Sequence, residues 1–326
     1  MFELLPPPAA LLDFINKYKK FILLGHKEPD GDCVGSQLAL ASLLRGLGCT
    51  VLCCSDGPFK RTEILPYKDQ FSSVITENDK KDAAAIIVDC SMPERTGKIG
   101  ESITGMPLAL IDHHAVGDHC GDINYVDGNS PATTILIYKI FRALNIKPSK
   151  NEVELLFFGL CTDTGFFKHL DDSSAEIFQI ASELIKAGAS PKTTFALMNG
   201  GKTLNSRLLL GTILSKAKSY FNGKLIFSTE EYEESVCFGM ESRDSDMLYQ
   251  LLQSVDGVEA VAIIRQETPD DCTVGLRSRD WVDVAKIAGS LGGGGHKNAA
   301  GILKKGIKIS ELQPVILAEF KKIFSV

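Results

Sequence analysis

Three short apolar runs in this chain end on acids or imidazoles, where strands commonly hand over to Gly or Asn. That recurrence is the strongest constraint on what the chain can fold into. Phe21-Ile22-Leu23-Leu24 leads into Gly25-His26-Lys27-Glu28-Pro29-Asp30-Gly31-Asp32, Ala83 to Val88 stops at Asp89, and Leu108-Ala109-Leu110-Ile111 stops at Asp112-His113-His114. Each run is β-prone and bounded by turn residues, the pattern of a strand buried on both faces of a parallel sheet. Parallel strands bring their carboxyl ends together, and in open α/β sheets the ligand crevice lies there. His26, Asp30, Asp32, Asp89 and His113 would therefore share one crevice. So many carboxylates repel one another unless cations neutralise them. Imidazoles mixed with carboxylates suit divalent ions, manganese best, with magnesium, cobalt or iron as substitutes. Taken singly, each motif has a plainer reading: Pro29-Asp30-Gly31 is a turn whose acids can cap a helix, and an Asp after a strand caps the next helix or turn.

Between these runs the chain alternates. Leu11 to Lys20 reads as a helix, Gly35 to Leu47 as a second whose free N–H groups near Gly35 and Ser36 face an anion, and Gly48 to Cys53 as a strand. The βαβ alternation predicts an α/β fold with a doubly wound, mostly parallel N-terminal sheet. Ser149 and Glu152 form a capping box for a helix from about Asn151, which Thr162-Asp163-Thr164-Gly165 ends. Asp163 either faces the crevice or belongs to an ordinary helix-ending turn. Asp118, His119 and Asp122 occupy a polar loop with no strand behind them and read as solvated, whereas His169, near the fourth motif, reads either as a surface residue or as one that reaches the site.

A chain of 326 residues exceeds the roughly 250 at which single cores stop growing, so two domains are expected. Asp172 to Gly188 reads as the helix that closes the first, and Ser190 to Thr203 as a polar connection. A helix from about Ser206 to Ser219, strands at Lys224 to Ser228, Val258 to Arg265 and Cys272 to Leu276, and a helix from Trp281 to Gly289 predict a smaller α+β second domain, with the active-site cleft between the two.

The formal charge of -6 argues against long duplex nucleic acid, whose binding depends on Lys and Arg neutralising phosphates, but allows a short or mononucleotide ligand. No apolar run approaches the ~18 residues of a membrane helix. Met1 to Pro8 carries Glu3 where a secretory signal has Lys or Arg, so a cytoplasmic location with no membrane partner is expected. Nine cysteines without a C-x-x-C pair indicate reduced thiols. Cys33, Cys90 and Cys161, close to the candidate acids, read as small buried hydrophobes or as thiolate contributors to a metal site.

Near the other end, Val274-Gly275-Leu276-Arg277-Ser278-Arg279 precedes Gly292-Gly293-Gly294-Gly295-His296-Lys297-Asn298-Ala299-Ala300-Gly301. Glycines let backbone N–H groups approach a phosphate, and an Arg adds a charge-assisted fork. The G-x-x-x-x-G-K-[ST] spacing is absent, and a glycine run alone also reads as a flexible turn.

As a set, these residues resemble the DHH phosphoesterases. The family's H-x-x-x-D-x-D-x-x-G-S motif spans His26 to Ser36, its second motif is the strand-end Asp89, its third is Asp112-His113-His114, and its fourth is Asp163 in Thr-Asp-Thr-Gly. The later glycine and arginine segments are similar to the DHH-associated substrate domain, so the resemblance covers nearly the whole chain. It implies two Mn²⁺, with Mg²⁺ or Co²⁺ as substitutes: His26, Asp30 and Asp89 would hold one, and Asp32, Asp89, His113 and Asp163 the other. Asp89, Asp112 and His114 would be catalytic, His114 serving the substrate phosphate or the leaving oxygen. Arg277, Ser278, Gly293, Gly294, Gly295 and His296 would bind substrate together with His114. Phe166 or Phe167 would either stack on a base or pack in the core.

The domains implied are a catalytic one at 1–189, a linker at 190–205 and a substrate-binding one at 206–326. The compact class of the family, oligoribonucleases (nanoRNases) and pAp phosphatases, implies short RNA, linear dinucleotides such as pApA and pGpG, or pAp as substrate, and allows a homodimer. One departure stands out, since many members carry a Ser-Ser-Thr-x-x-Glu-like segment after the DHH motif and Ser130-Pro131-Ala132-Thr133-Thr134-Ile135 has no Glu. Two competing readings are an inorganic pyrophosphatase or polyphosphatase, and a non-catalytic nucleotide-binding module, whose expected mark would be a missing ligand.

Overall fold

The computed structural model describes residues 4–114 and 116–324; the reading of Met1 to Glu3 lies outside them. The chain divides into two units, Met1–Gly201 and Lys202–Val326. In the first, five strands are all parallel: β1 (Lys20–Leu24), β2 (Thr50–Cys54), β3 (Ala84–Val88), β4 (Leu108–Asp112) and β5 (Ile123–Val126), in the order β2-β1-β3-β4-β5. The order reverses between β1 and β3, and a doubly wound sheet opens its ligand crevice beyond the strand ends at such a point. His26 follows β1 and Asp89 follows β3, so the two flank the reversal.

The helices of this unit are α1 (Ala9–Lys17), α2 (Gly31–Gly46), the short α3 (Glu77–Lys80), α4 (Thr133–Ala143), α5 (Lys150–Asp163), α6 (Ala175–Lys186) and α7 (Pro191–Asn199). Strand side chains alternate between two apolar layers. Phe21, Leu23, Ile86, Val88 and Ile111 join a core with α2, α4, α5 and α6, while Ile22, Leu24, Ala85, Ile87 and Leu110 face Ile99 and Ile103 in 3₁₀ turns on the other side.

Helix α2 starts four residues before its expected position. Asp30 caps it, accepting hydrogen bonds from the backbone N–H groups of Asp32 and Cys33 at 3.1 Å each, so these donors are already engaged and Gly35 and Ser36 lie inside the helix. Gly31 and Gly35 are poor helix formers, which hides this start in the sequence. Their use lies in packing. A Cβ on Gly35 would stand 2.7 Å from the Leu155 carbonyl oxygen, and one on Gly31 2.4 Å from Thr162 Cγ2, so α2 and α5 meet almost backbone to backbone.

The stretch expected as a polar connection contains α7, started by Pro191 in its first turn and capped by the Ser190 side chain. Phe166 and Phe167 pack against the first core, Phe167 on Phe157 and Phe178, and Phe166 edge-on to Phe195. Both rings stay partly exposed.

The second unit contains α8 (Leu204–Ser215), β6 (Lys218–Tyr220), β7 (Leu225–Glu230), α9 (Tyr232–Phe238), α10 (Ser245–Gln253), β8 (Ala260–Gln266), β9 (Asp271–Ser278), α11 (Val284–Ser290), β10 (Gly294–His296), β11 (Ala299–Lys305) and α12 (Ile309–Phe324). Its sheet runs β10-β11-β9-β8-β7-β6, mixed because β7 and β8 are parallel and the other pairs antiparallel. Helix α11 begins at Val284, three residues after its expected start, because Asp283 caps it. No helix among the described residues is long and apolar enough to cross a membrane.

Gly35→Ala should lower the unfolding free energy by about 1–3 kcal/mol, because the backbone carbonyl it meets cannot move aside. Urea denaturation of the two proteins measures this, and an unchanged midpoint would refute the close α2–α5 contact.

Candidate metal centre

Asp89 is the hub of the side chains that gather at the strand ends. It is nearly fully buried, and its backbone is left-handed, at φ 59°, a conformation that costs a residue bearing a Cβ. Its two carboxylate oxygens face different imidazoles: Oδ2 lies 3.5 Å from His26 Nε2 and Oδ1 lies 3.5 Å from His113 Nε2. His26 Nε2 also stands 3.8 Å from Asp30 Oδ2, and His113 Nε2 stands 3.1 Å from Asp163 Oδ2.

Both imidazoles are fixed from behind. His26 Nδ1 donates to the Lys27 carbonyl at 2.9 Å and His113 Nδ1 to the Ser130 carbonyl at 3.2 Å, which leaves each Nε2 directed into the site. A backbone acceptor behind a ring nitrogen is the usual arrangement for a ligating histidine.

Asp32 is fully buried on α2 and does more than the motif suggests. It accepts from the backbone N–H of Thr133 at 2.5 Å, from that of Thr134 at 3.0 Å and from the Thr134 hydroxyl at 2.7 Å. Helix α4 has Ala132 at its N-cap, with no capping side chain of its own, so Asp32 caps α4 from another helix. The Thr133 hydroxyl donates to Asp89 Oδ1 at 3.0 Å. Gly159 on α5 keeps this corner open: a Cβ there would lie 2.4 Å from Thr134 Cγ2 and 2.7 Å from Asp32 Oδ1.

The segment that lacks the family-like Glu therefore supplies two threonines that hold two of the acids. Sequence reading missed them. The available signal was a helix beginning at Ala132-Thr133-Thr134 without its own cap, which must borrow one.

Electrostatics favour cations at this place. Burial pushes the Asp32 carboxyl well above its usual range, with Asp89 and Asp163 adding to the push, and burial likewise raises Asp89. Burial would lower the imidazoles, but Asp30 and Asp89 carry His26 up to about 10, and Asp163, Asp32 and Asp89 do the same for His113. Asp30 is held at about 2 against its burial, mainly by His26. Among the described residues, three sets bring their ligand atoms within 4.8 Å of one another: His26, Cys33 and Asp89; Asp89, His113 and His114; and Asp32, His113 and Asp163. Carboxylates with imidazole nitrogens fit a divalent ion of the manganese or magnesium kind. Burial, with Asp89 next, pushes the Cys33 thiol well up, and burial raises Cys90 to about 11 and Cys161 to about 12, consistent with protonated buried thiols.

Asp112, expected among the catalytic residues, sits directly behind His114. Asp112 is fully buried, accepts from the Ser91 hydroxyl, and accepts from His114 Nδ1 at 2.7 Å and from the His114 backbone N–H at 3.2 Å. Burial would raise its carboxyl, but His114 and Ser91 hold it below its ordinary value. The two bonds to Asp112 fix the orientation of the half-exposed His114.

Ser278, expected beside Arg277 among the substrate-binding residues, is placed differently from it. Along β9, Arg277 and Ser278 face opposite sides of the sheet, and Ser278 is buried with its hydroxyl donating to the Lys297 carbonyl at 3.3 Å. The glycine run is not a free loop. Gly294 and Gly295 pair with β11 beside the exposed His296, and a Cβ on Gly293 would lie 2.3 Å from the Gly301 carbonyl oxygen. Asp118 and His119 are exposed. Asp122 is exposed but not idle, since it accepts from the Leu108 backbone N–H at 2.9 Å and so caps the start of β4.

Residues 20–160 match the DHH family, N-terminal domain, and residues 222–325 match the DHHA1 domain. The chain belongs to the DHH family. Within it, the chain is 28% identical over 292 residues to a protein of Thermus thermophilus named bifunctional oligoribonuclease and PAP phosphatase NrnA, covering 90% of this chain and 86% of that one. The fold is that of an exopolyphosphatase-related protein from Bacteroides fragilis, at a TM-score of 0.82 and 20% identity over 98% of this chain and 97% of the other. The exonuclease RecJ bound to manganese also shares the DHH fold, at a TM-score of 0.53 and 16% identity over 100% of this chain and 96% of the other.

Isothermal titration with Mn²⁺ should lose its signal in Asp89→Ala and keep it in Asp118→Ala and His119→Ala. Full Mn²⁺ binding by the Asp89 variant would remove Asp89 from the hub. Thr134→Val, which deletes the hydroxyl on Asp32, should weaken Mn²⁺ by about 10- to 100-fold with the helical circular dichroism intact.

Proposed function

We propose that this chain is a metal-dependent phosphoesterase that hydrolyses short oligoribonucleotides and linear dinucleotides such as pApA and pGpG to mononucleotides, and removes the 3′-phosphate of pAp. It is a hydrolase of phosphate ester bonds. The observation that carries this reading is the division of the two Asp89 oxygens between His26 and His113, each imidazole held by a backbone carbonyl and accompanied by its own further acid. In this reading His26, Asp30 and Asp89 hold one Mn²⁺, and Asp32, Asp89, His113 and Asp163 hold a second.

Two such ions supply an activated water and charge stabilisation at the attacking and leaving oxygens of an in-line displacement at phosphorus. The side chains do the rest. His114, held at Nδ1 by Asp112, presents Nε2 to the substrate as the proton donor to the leaving oxygen, and the Asp112 carboxylate fixes the ring's orientation without exchanging the proton itself. Thr133 and Thr134 keep Asp89 and Asp32 in one orientation throughout.

Residues 1–189 form the catalytic domain in this proposal and 206–326 the substrate-binding domain, where Arg277, His296 and the backbone of Gly293, Gly294 and Gly295 take a substrate phosphate. Substrates of this kind are intracellular nucleotides, which places the protein in the cytoplasm.

Product release from pAp, pApA and pyrophosphate, each with Mn²⁺, separates the readings. The two nucleotides should be cleaved and pyrophosphate left nearly intact. Rapid pyrophosphate cleavage with inert nucleotides would reverse the assignment in favour of a pyrophosphatase.

A further inference from the structure

We infer that Tyr249 is a positioning residue for Arg277, its ring holding the guanidinium in one pose before substrate arrives. This inference rests on the reading of Arg277 as a phosphate-binding group. The second unit has five arginines, and Arg207, Arg243 and Arg265 are engaged by carboxylates, Arg207 Nη1 standing 2.7 Å from Asp244 Oδ2. Arg243 Nε lies 2.5 Å from Glu230 Oε1 and Arg243 Nη1 2.7 Å from Glu267, while Arg265 Nε lies 2.8 Å from Glu230 Oε2. Arg277, among the described residues, has no carboxylate within ion-pair distance. Its Nη1 donates to the Leu276 carbonyl at 3.0 Å, and its guanidinium carbon stands 4.5 Å from the centroid of the Tyr249 ring. The attraction of a cation to a ring face is electrostatic and needs no counter-ion, so it orders the side chain and leaves its charge available.

The ring is itself buried and packed on several sides. Tyr249 comes from α10, is only 5% exposed and packs with Leu248, Leu252, Val261 and Ile263 beneath the sheet. Its hydroxyl reaches the β9 backbone at Gly275, where a Cβ would lie 1.9 Å from the oxygen; Gly275 is the residue two before Arg277 on the same face of the strand. That hydroxyl is buried with no hydrogen-bond partner. What Tyr249 offers its surroundings is therefore the ring and not the hydrogen bond. A long side chain that must order itself on a phosphate loses rotamer freedom in doing so, and one already stacked loses less. The benefit falls on substrate binding.

The test compares pAp hydrolysis by the whole protein carrying Tyr249→Phe, Tyr249→Leu, Arg277→Ala and the Leu/Ala double change, with thermal melting as the check on folding. Arg277→Ala should raise KM. Tyr249→Phe should keep the KM of the unchanged protein, whereas Tyr249→Leu should raise it about three- to thirtyfold with kcat held, the range that a ring–cation contact spans. The double variant should be no worse than Arg277→Ala alone, a non-additivity that a merely structural role for Tyr249 would not produce. Should Tyr249→Leu fail to fold, pentafluorophenylalanine in place of Tyr249 preserves the shape and removes the ring's attraction for a cation, and must raise KM in the same way. The inference is overturned if Arg277→Ala raises KM while these ring changes leave it untouched, or if the Tyr249 and Arg277 effects multiply. A normal KM in Arg277→Ala instead refutes the phosphate-binding role of Arg277 and takes the inference with it.

Discussion

Repulsion among Asp32, Asp89 and Asp163 is the constraint around which the first unit is arranged. Asp32 and Asp89 are costly to bury, and beyond burial the charges of Asp89 and Asp163 push the Asp32 carboxyl up while those of Asp30 and Asp163 push up that of Asp89. The strand order brings these charges together by setting β1 beside β3, and the structure offsets the repulsion in two ways: two imidazoles stand between the acids, and the positive end of α4 meets Asp32 through two backbone N–H groups and a hydroxyl. Remove either of these and the remaining charges lose their counterweight.

The same demand reaches into the helices. For Asp32 to sit under the start of α4, helices α2 and α5 must approach more closely than side chains allow, which is why Gly31, Gly35 and Gly159 appear where helix propensity disfavours them. The core around them is ordinary: alternating strand residues are apolar on both faces, and one layer is covered by long helices. Positions that look wrong for local structure are here the ones that serve the site.

Much of this is legible in the sequence because it is local. Strands β1, β3 and β4 can be read from uninterrupted apolar runs, and the capping box at Ser149 and Glu152 marks the start of α5. The candidate ligands stand out because acids and imidazoles end three strands. The features that escape depend on partners far along the chain or on faces. Thr133 and Thr134 meet Asp32 across about a hundred residues, so nothing beside them in the sequence announces their role. Helix α2 begins earlier than its local sequence suggests because its glycines answer to α5. The opposite facing of Arg277 and Ser278 follows from strand alternation, a periodicity of two that the sequence carries once β9 is recognised.

The left-handed backbone at Asp89 carries an evolutionary implication. Gly or Asn would occupy that torsion with less strain, so the residue that serves as hub is not the one that would make the fold most stable. In a lineage freed from selection on activity, this position should be among the first to drift, and toward those two residues. A descendant bearing either one would mark itself as a sturdier protein that has given up its chemistry.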